Sequence, residues 1–165
     1  MSEHPTFLLV EDDNNDVLLI KRSFLKARVL NPLQVVTTGE DAIAYLSGQD
    51  KYANRLEFPL PALVLLDIQM PRVDGFQVLT WIRKQPALSE IRVVMLTASD
   101  AMRNVNLAYQ LGANSFLIKP VDFERFVEVS QAFGGCWSWN QTPGAVESES
   151  KAGKIDLGIG RFNLA

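Results

Sequence analysis

Short apolar runs alternate with stretches of helical periodicity along most of this chain, and that alternation limits its fold more than any other feature. The runs are Thr6 to Val10, Leu33 to Val36, Ala62 to Leu66, Ile91 to Leu96 and Ser115 to Ile118. Thr6 to Val10 and Ala62 to Leu66 have no polar alternation, so they read as strands buried on both sides. Behind the first run, Val17, Leu18, Ile20, Phe24 and Leu25 recur at helical spacing. Behind the second, Thr38 stands three residues before Asp41 as a cap, and Ser47-Gly48 closes a helix carrying Ala42, Ile43 and Leu46.

The third helix carries Leu79 and Ile82 and must stop before Pro86. Asp100 reads as the cap of a fourth, with Met102, Val105, Ala108 and Leu111 on its apolar stripe and Gly112 at its end. Asp122 reads as the cap of a fifth, carried by Phe123, Phe126 and Val127. Five strand-then-helix units predict an α/β fold: a doubly wound parallel sheet, helices on both faces, joined by right-handed crossovers. After Gly134-Gly135 the pattern fails. The expected division is a domain over residues 1–140 and a flexible tail over 141–165.

Composition narrows the function. The chain has 165 residues, 47% of them hydrophobic, which suits one packed domain rather than a disordered chain. Its single cysteine, Cys136, cannot pair within the chain, and one Cys with one His cannot build a structural zinc site. A net charge of −3 offers no basic field for nucleic acid. The longest apolar run, Ala62 to Leu66, falls far short of the ~20 residues of a membrane span. No basic start precedes an apolar segment at the N-terminus, so a cytoplasmic location is expected.

In an open parallel sheet, ligands bind beyond the carboxyl ends of the strands. The residues there are Glu11, Asp12 and Asp13, then Asp67, then Thr97 and Ala98, then Lys119. Carboxylates gathered in one crevice repel one another and call for a cation. Hard oxygen ligands favour Mg²⁺. A carboxylate can act as nucleophile toward phosphorus, and a lysine and a hydroxyl can hold phosphoryl oxygens. The set reads as an Mg²⁺-dependent phosphoryl acceptor. Singly, each residue has a plainer meaning: Glu11 to Asp16 as a solvated helix cap, Thr97 as a strand end, Lys119 as a surface lysine.

Leu9-Val10-Glu11-Asp12-Asp13, Leu65-Leu66-Asp67-Ile68-Gln69-Met70-Pro71, Asp74-Gly75, Leu96-Thr97-Ala98 and Lys119-Pro120 resemble, in order and spacing, the motifs of two-component response-regulator receiver domains. The resemblance covers residues 5–133. It implies a CheY-like, flavodoxin-like (βα)5 fold with strand order 2-1-3-4-5. It implies Asp67 as the phosphorylated residue. Mg²⁺ (or Mn²⁺) would be held by Glu11, Asp12, Asp67 and the backbone carbonyl of Gln69. Thr97 and Lys119 would contact the phosphoryl group, and Pro120 would follow a cis bond.

Phe116 stands where the family keeps a switching aromatic, here without a tyrosine hydroxyl. Residues at the Gln69 and Ser99 positions tune phosphate hydrolysis in the family. The implied partner is a sensor histidine kinase, and the implied self-contact is a homodimer through the face of helix four, strand five and helix five. The connection over residues 48–61 and the stretches Asp67 to Arg72 and Lys119 to Phe123 are similar to small single-domain regulators paired with phytochrome-type kinases. Expected, then, is a signalling phosphoacceptor, not an enzyme, acting through protein contact or relay because the remaining length is too short for a DNA-binding or catalytic output domain. Two other functions compete: a pseudo-receiver that binds partners without phosphate, and an aspartyl-phosphate hydrolase. Gln69 disfavours the hydrolase, because such enzymes usually place a second Asp there.

Overall fold

A computed structural model gives the fold. It describes residues 4–26, 28–98 and 102–119, and the backbone of 154–156 and 161–163. The elements run β1 (Phe7–Val10), α1 (Asn14–Lys26), β2 (Leu33–Val36), α2 (Gly39–Ser47), β3 (Leu63–Asp67), α3 (Gly75–Lys84), β4 (Arg92–Thr97), α4 (Met102–Gln110) and β5 (Ser115–Ile118). Short 3₁₀ turns lie at Asp50–Tyr52 and Pro86–Leu88. The five strands form one parallel sheet in the order β2-β1-β3-β4-β5. That is the expected receiver topology. The expected fifth helix, with Asp122, Phe123, Phe126 and Val127, lies outside the described residues, as do Cys136, Trp137 and Trp139.

Strand boundaries shift by one residue from the sequence expectation. Thr6 and Ala62 precede their strands, and the fourth strand covers Arg92–Thr97 rather than Ile91 to Leu96. Ile91 instead closes the preceding turn, its N–H donating to the Leu88 carbonyl at 3.1 Å. His4 is half-buried. Within the segment expected to be a flexible tail, β6 (Lys154–Asp156) and β7 (Arg161–Asn163) pair antiparallel, with Ile155 opposite Phe162.

Side-chain alternation along the strands divides the core into two layers. Leu8, Val10, Val64, Leu66, Val93, Met95 and Phe116 pack with α2, α3 and α4. Phe7, Leu9, Leu63, Leu65, Val94, Leu96 and Leu117 pack under Val17, Ile20 and Phe24 of α1. Each strand is therefore apolar on both faces, which is why the runs carry no polar alternation.

Local chemistry sets the helix starts. Thr38 caps α2 by accepting from the Asp41 N–H at 3.0 Å, as the sequence predicts. Asp74 caps α3 in a reciprocal capping box with Gln77, both bonds at 2.9 Å. Gly48, at φ 68°, ends α2 in the left-handed region.

The long connection over residues 48–61 is packed. Tyr45, Tyr52 and Phe58 form a mutual aromatic cluster. Arg55 donates to the carbonyls of Tyr45, Leu46 and Phe58, and so caps the end of α2. Among the described residues no helix is long and apolar enough to cross a membrane.

Candidate functional site

Strand register builds the site as a staircase at the carboxyl edge of the sheet. Val10 pairs with Leu66, so Glu11 comes level with Asp67. Asp67 pairs with Leu96, and Thr97 stands one residue beyond. Thr97 pairs with Ile118, and Lys119 stands one residue beyond that. The Lys119 backbone N–H donates to the Thr97 carbonyl, which ties the last two steps together. The two-residue alternation also sets the faces. Glu11 continues the phase of Phe7 and Leu9, Asp67 that of Leu63 and Leu65, and Lys119 that of Leu117, all on the α1 side. Thr97 continues the phase of Val93 and Met95, on the other side.

The geometry follows. Oxygen atoms of Glu11, Asp12 and Asp67 lie within 4.8 Å of one another. Glu11 and Asp67 are almost fully enclosed, at 0% and 2% exposure, while Asp12 faces solvent. The Lys119 Nζ donates to Glu11 Oε2 at 2.8 Å and to Asp16 Oδ2 at 3.0 Å, and stands 3.3 Å from Asp67 Oδ1. Asp67 Oδ1 also accepts from the Gln69 N–H at 3.3 Å, and Glu11 Oε1 from the Asp13 N–H at 3.1 Å. Thr97 is buried at the end of β4.

Electrostatics mark this edge as short of positive charge. Burial, then the neighbouring charge of Glu11, pushes the Asp67 carboxyl from 3.8 up to about 7, against the pull of Lys119. Burial also raises Glu11, opposed by its bonds to Lys119 and the Asp13 N–H. Burial disfavours the Lys119 ammonium, but its bonds to Glu11 and Asp16 and the charge of Asp67 outweigh it, and its pKa is raised from 10.5.

Buried carboxylates, with Asp67 raised by burial and by the charge of Glu11, fit a divalent cation, which would relieve the repulsion. All-oxygen donors on Glu11, Asp12 and Asp67 suit the hard ions Mg²⁺ and Mn²⁺.

Two predicted site residues, Ser99 and Pro120, lie outside the described residues. Phe116 is buried, its ring edge-on to Tyr109 of α4 at 5.8 Å. Three further residues contribute to the site.

Asp16 bonds Lys119; its place on the first turn of α1, the helix covering this face, was the available signal. Asp13, within the Glu11 to Asp16 stretch that also reads as a helix cap, does cap α1, through bonds from the Asn15 and Asp16 N–H groups at 2.8 and 3.4 Å. Gly75 is more than a turn residue. A Cβ there would sit 2.2 Å from the Asp67 carbonyl oxygen, so only glycine lets the start of α3 approach the end of β3. Its N–H donates to the Ile68 carbonyl at 2.9 Å.

Known proteins share this fold. The model of the response regulator receiver domain matches residues 7–131. The chain is 36% identical over 138 residues to the probable methanogenesis regulatory protein FilR2 of Methanothrix harundinacea, covering 83% of this chain and 86% of that one. It is 33% identical over 130 residues to response regulator Rcp1 of Synechocystis, covering 79% and 86%.

Among solved structures, response regulator RPA3017 in red light signalling of R. palustris superposes with a TM-score of 0.74 at 33% identity, over 81% of this chain and 93% of that one. The phosphorylated cyanobacterial phytochrome response regulator RcpA superposes at 0.71 and 30% identity, over 81% and 94%. The Mn²⁺-bound form of Rcp1 superposes at 0.70 and 32% identity, over 81% and 94%. Five parallel strands in receiver order, an acidic crevice of the kind in which receivers bind Mg²⁺ or Mn²⁺, and these relatives lead to one conclusion: the chain belongs to the response regulator receiver family, as a signalling domain related to phytochrome response regulators rather than an enzyme in the ordinary sense.

Proposed function

We propose that this protein accepts a phosphoryl group from the phosphohistidine of a sensor kinase onto Asp67. The carrying observation is the placement of Asp67: beside Glu11 and Asp12 within 4.8 Å, and 3.3 Å from the Lys119 ammonium. An ionised Asp67 oxygen forms the new P–O bond as the P–N bond breaks, and the imidazole leaves with the electron pair. Mg²⁺ or Mn²⁺, held by Glu11, Asp12, Asp67 and the Gln69 carbonyl, would neutralise charge on the acceptor and the transferring oxygens when bound. Lys119 supplies a further positive charge beside Asp67, and the Thr97 hydroxyl donates to a phosphoryl oxygen.

Thr97 ends the strand that leads into α4, and Phe116 on β5 packs against Tyr109 of α4. A pull on Thr97 therefore reaches the face of α4 and β5 and biases its arrangement, with Phe116 as the aromatic that follows. Gln69 and Ser99, beside the reacting residues in sequence, set how fast water removes the phosphate. Residues 1–140 form the receiver, and 141–165 a tail. The kinase is of phytochrome type, supported by the likeness to RcpA and to the red-light regulator RPA3017. A homodimer through α4, β5 and the fifth helix expected from the sequence is the self-contact, and the cytoplasm is the location.

Acetyl phosphate with Mg²⁺ tests this by intact mass. The wild type gains one phosphoryl group and Asp67→Asn gains none. An unmodified wild type, or an undiminished gain in the variant, would overturn the proposal and favour a binding module that never takes phosphate.

A further inference from the structure

We propose that Asp16 is a positioning residue that holds the Lys119 ammonium in place for phosphoryl transfer. The inference rests on the phosphoacceptor reading of Asp67. Three carboxylates surround the Lys119 Nζ: Glu11 at 2.8 Å, Asp16 at 3.0 Å and Asp67 at 3.3 Å. They do not share the same future. Glu11 and Asp67 belong with Asp12 to the group whose oxygens converge within 4.8 Å, and Asp16 stands outside that group. A divalent cation there draws on the charge of Glu11 and Asp67. Transfer then converts one Asp67 oxygen to an acyl phosphate oxygen, and Asp67 ceases to be a carboxylate. Asp16 is the partner whose full charge survives both events.

Asp16 is also well held. It sits on the first turn of α1, where the helix dipole favours an acid, and its N–H donates to the capping Asp13. The alternation that turns Glu11, Asp67 and Lys119 toward α1 explains why a residue of that helix reaches the ammonium. With Asp16 as a fixed anchor, one Lys119 proton stays committed to α1. The others are free to move from Asp67 to a phosphoryl oxygen without the side chain leaving the site. Without the anchor, Lys119 has rotamer freedom to lose at each transfer.

Acetyl phosphate with saturating Mg²⁺ provides the test. An Asp67 oxygen bonds phosphorus, the bond to the acetate oxygen breaks, and acetate leaves with the electron pair. The rate of mass gain is measured for wild type, Asp16→Asn, Asp16→Glu, Lys119→Gln and the double variant Asp16→Asn/Lys119→Gln, with Mg²⁺ affinity measured by calorimetry. Loss of one charge-assisted hydrogen bond predicts about tenfold slower phosphorylation in Asp16→Asn. Mg²⁺ affinity should stay within about twofold, and Asp16→Glu, which keeps the charge, should recover most of the rate.

In the Lys119→Gln background the Asn substitution should add no further slowing, because its effect passes through Lys119. A wild-type rate in Asp16→Asn, or the same tenfold loss on top of Lys119→Gln, overturns the positioning role. A wild type that gains no mass at all overturns the phosphoacceptor reading instead.

Discussion

Replacing Asp67 by Asn should make the cation-free protein more stable at alkaline pH, although it removes the proposed acceptor. The folded carboxyl titrates at about 7, against an ordinary 3.8, because burial and the charge of Glu11 outweigh the help of Lys119. An acid whose folded pKa is raised holds a proton in the folded state that the unfolded chain has released. Stability therefore falls as pH rises from 3.8 to about 7, and stays low above it. That difference corresponds to about 4 kcal/mol.

Asn has nearly the shape of the protonated acid and does not titrate, and its Oδ1 can still accept from the Gln69 N–H. The variant should gain about 2–4 kcal/mol at pH 8 and about two-fifths of that at pH 5, with almost none left below pH 3.5. In a domain of this size the alkaline gain is about 5–15 °C in Tm. Urea unfolding followed by circular dichroism, in EDTA at each pH, measures it. Titrating groups away from the crevice are common to both proteins and cancel, while Glu11 and Lys119 respond to the lost Asp67 charge in opposite senses. An Asn variant no more stable than wild type at pH 8, or a gain that does not change with pH, would refute the reasoning.

Two further substitutions test the frame that carries the site. Gly75→Ala forces a Cβ to within 2.2 Å of the Asp67 carbonyl oxygen, where the obstacle is backbone that cannot swing aside. It should cost about 1–3 kcal/mol in urea unfolding and slow phosphoryl uptake, since the end of β3 must shift. Arg83 donates to the carbonyls of Gly112, Ser89 and Ile91 and to Asn114 Oδ1, clamping α3 to the turns before β4 and β5. Arg83→Met keeps the apolar stem and strands the part-buried carbonyls, so a loss of about 2–4 kcal/mol is expected. Because Arg83 lies at the opposite end of the sheet from Asp67, phosphorylation of the folded variant should run at the wild-type rate.

The fold was legible because its strands are apolar on both faces and its helices announce their ends. Ala62 to Leu66 has nowhere to go but the centre of a parallel sheet, and β3 is the middle strand of five. Thr38 and Gly48 bracket α2 by local chemistry alone. Glu11, Asp67, Thr97 and Lys119 were legible for a related reason: a polar residue directly after a buried run must sit at the sheet edge.

Residues whose partners are remote in sequence were not legible. Arg55 and Arg83 look like surface cations until the fold brings backbone carbonyls to them. Asp16 looks like one more polar position on a helix until α1 lies over the face that carries Lys119. Gly75 carried a turn signal, but the Asp67 carbonyl it must accommodate belongs to tertiary packing.

The instability of the site and its function have one cause. Parallel pairing of β1 with β3 sets Glu11 and Asp67 side by side in a buried layer, and among the described residues the compensating cation is Lys119, just past β5, while α1 adds Asp16. A second cation in place of Asp16 would relax the raised Asp67 carboxyl and stabilise the fold. It would also remove the excess negative potential that draws a divalent ion, and would hold Lys119 off by like-charge repulsion. The acid at position 16 keeps the crevice electron-rich while fixing the Lys119 ammonium, which in the proposed transfer faces phosphate. The energy withheld from folding is then available when positive charge arrives. Any ion that binds the folded crevice and not the unfolded chain should stabilise the protein by RT ln(1 + [L]/Kd), and this should be largest at the alkaline pH where the empty crevice is least stable.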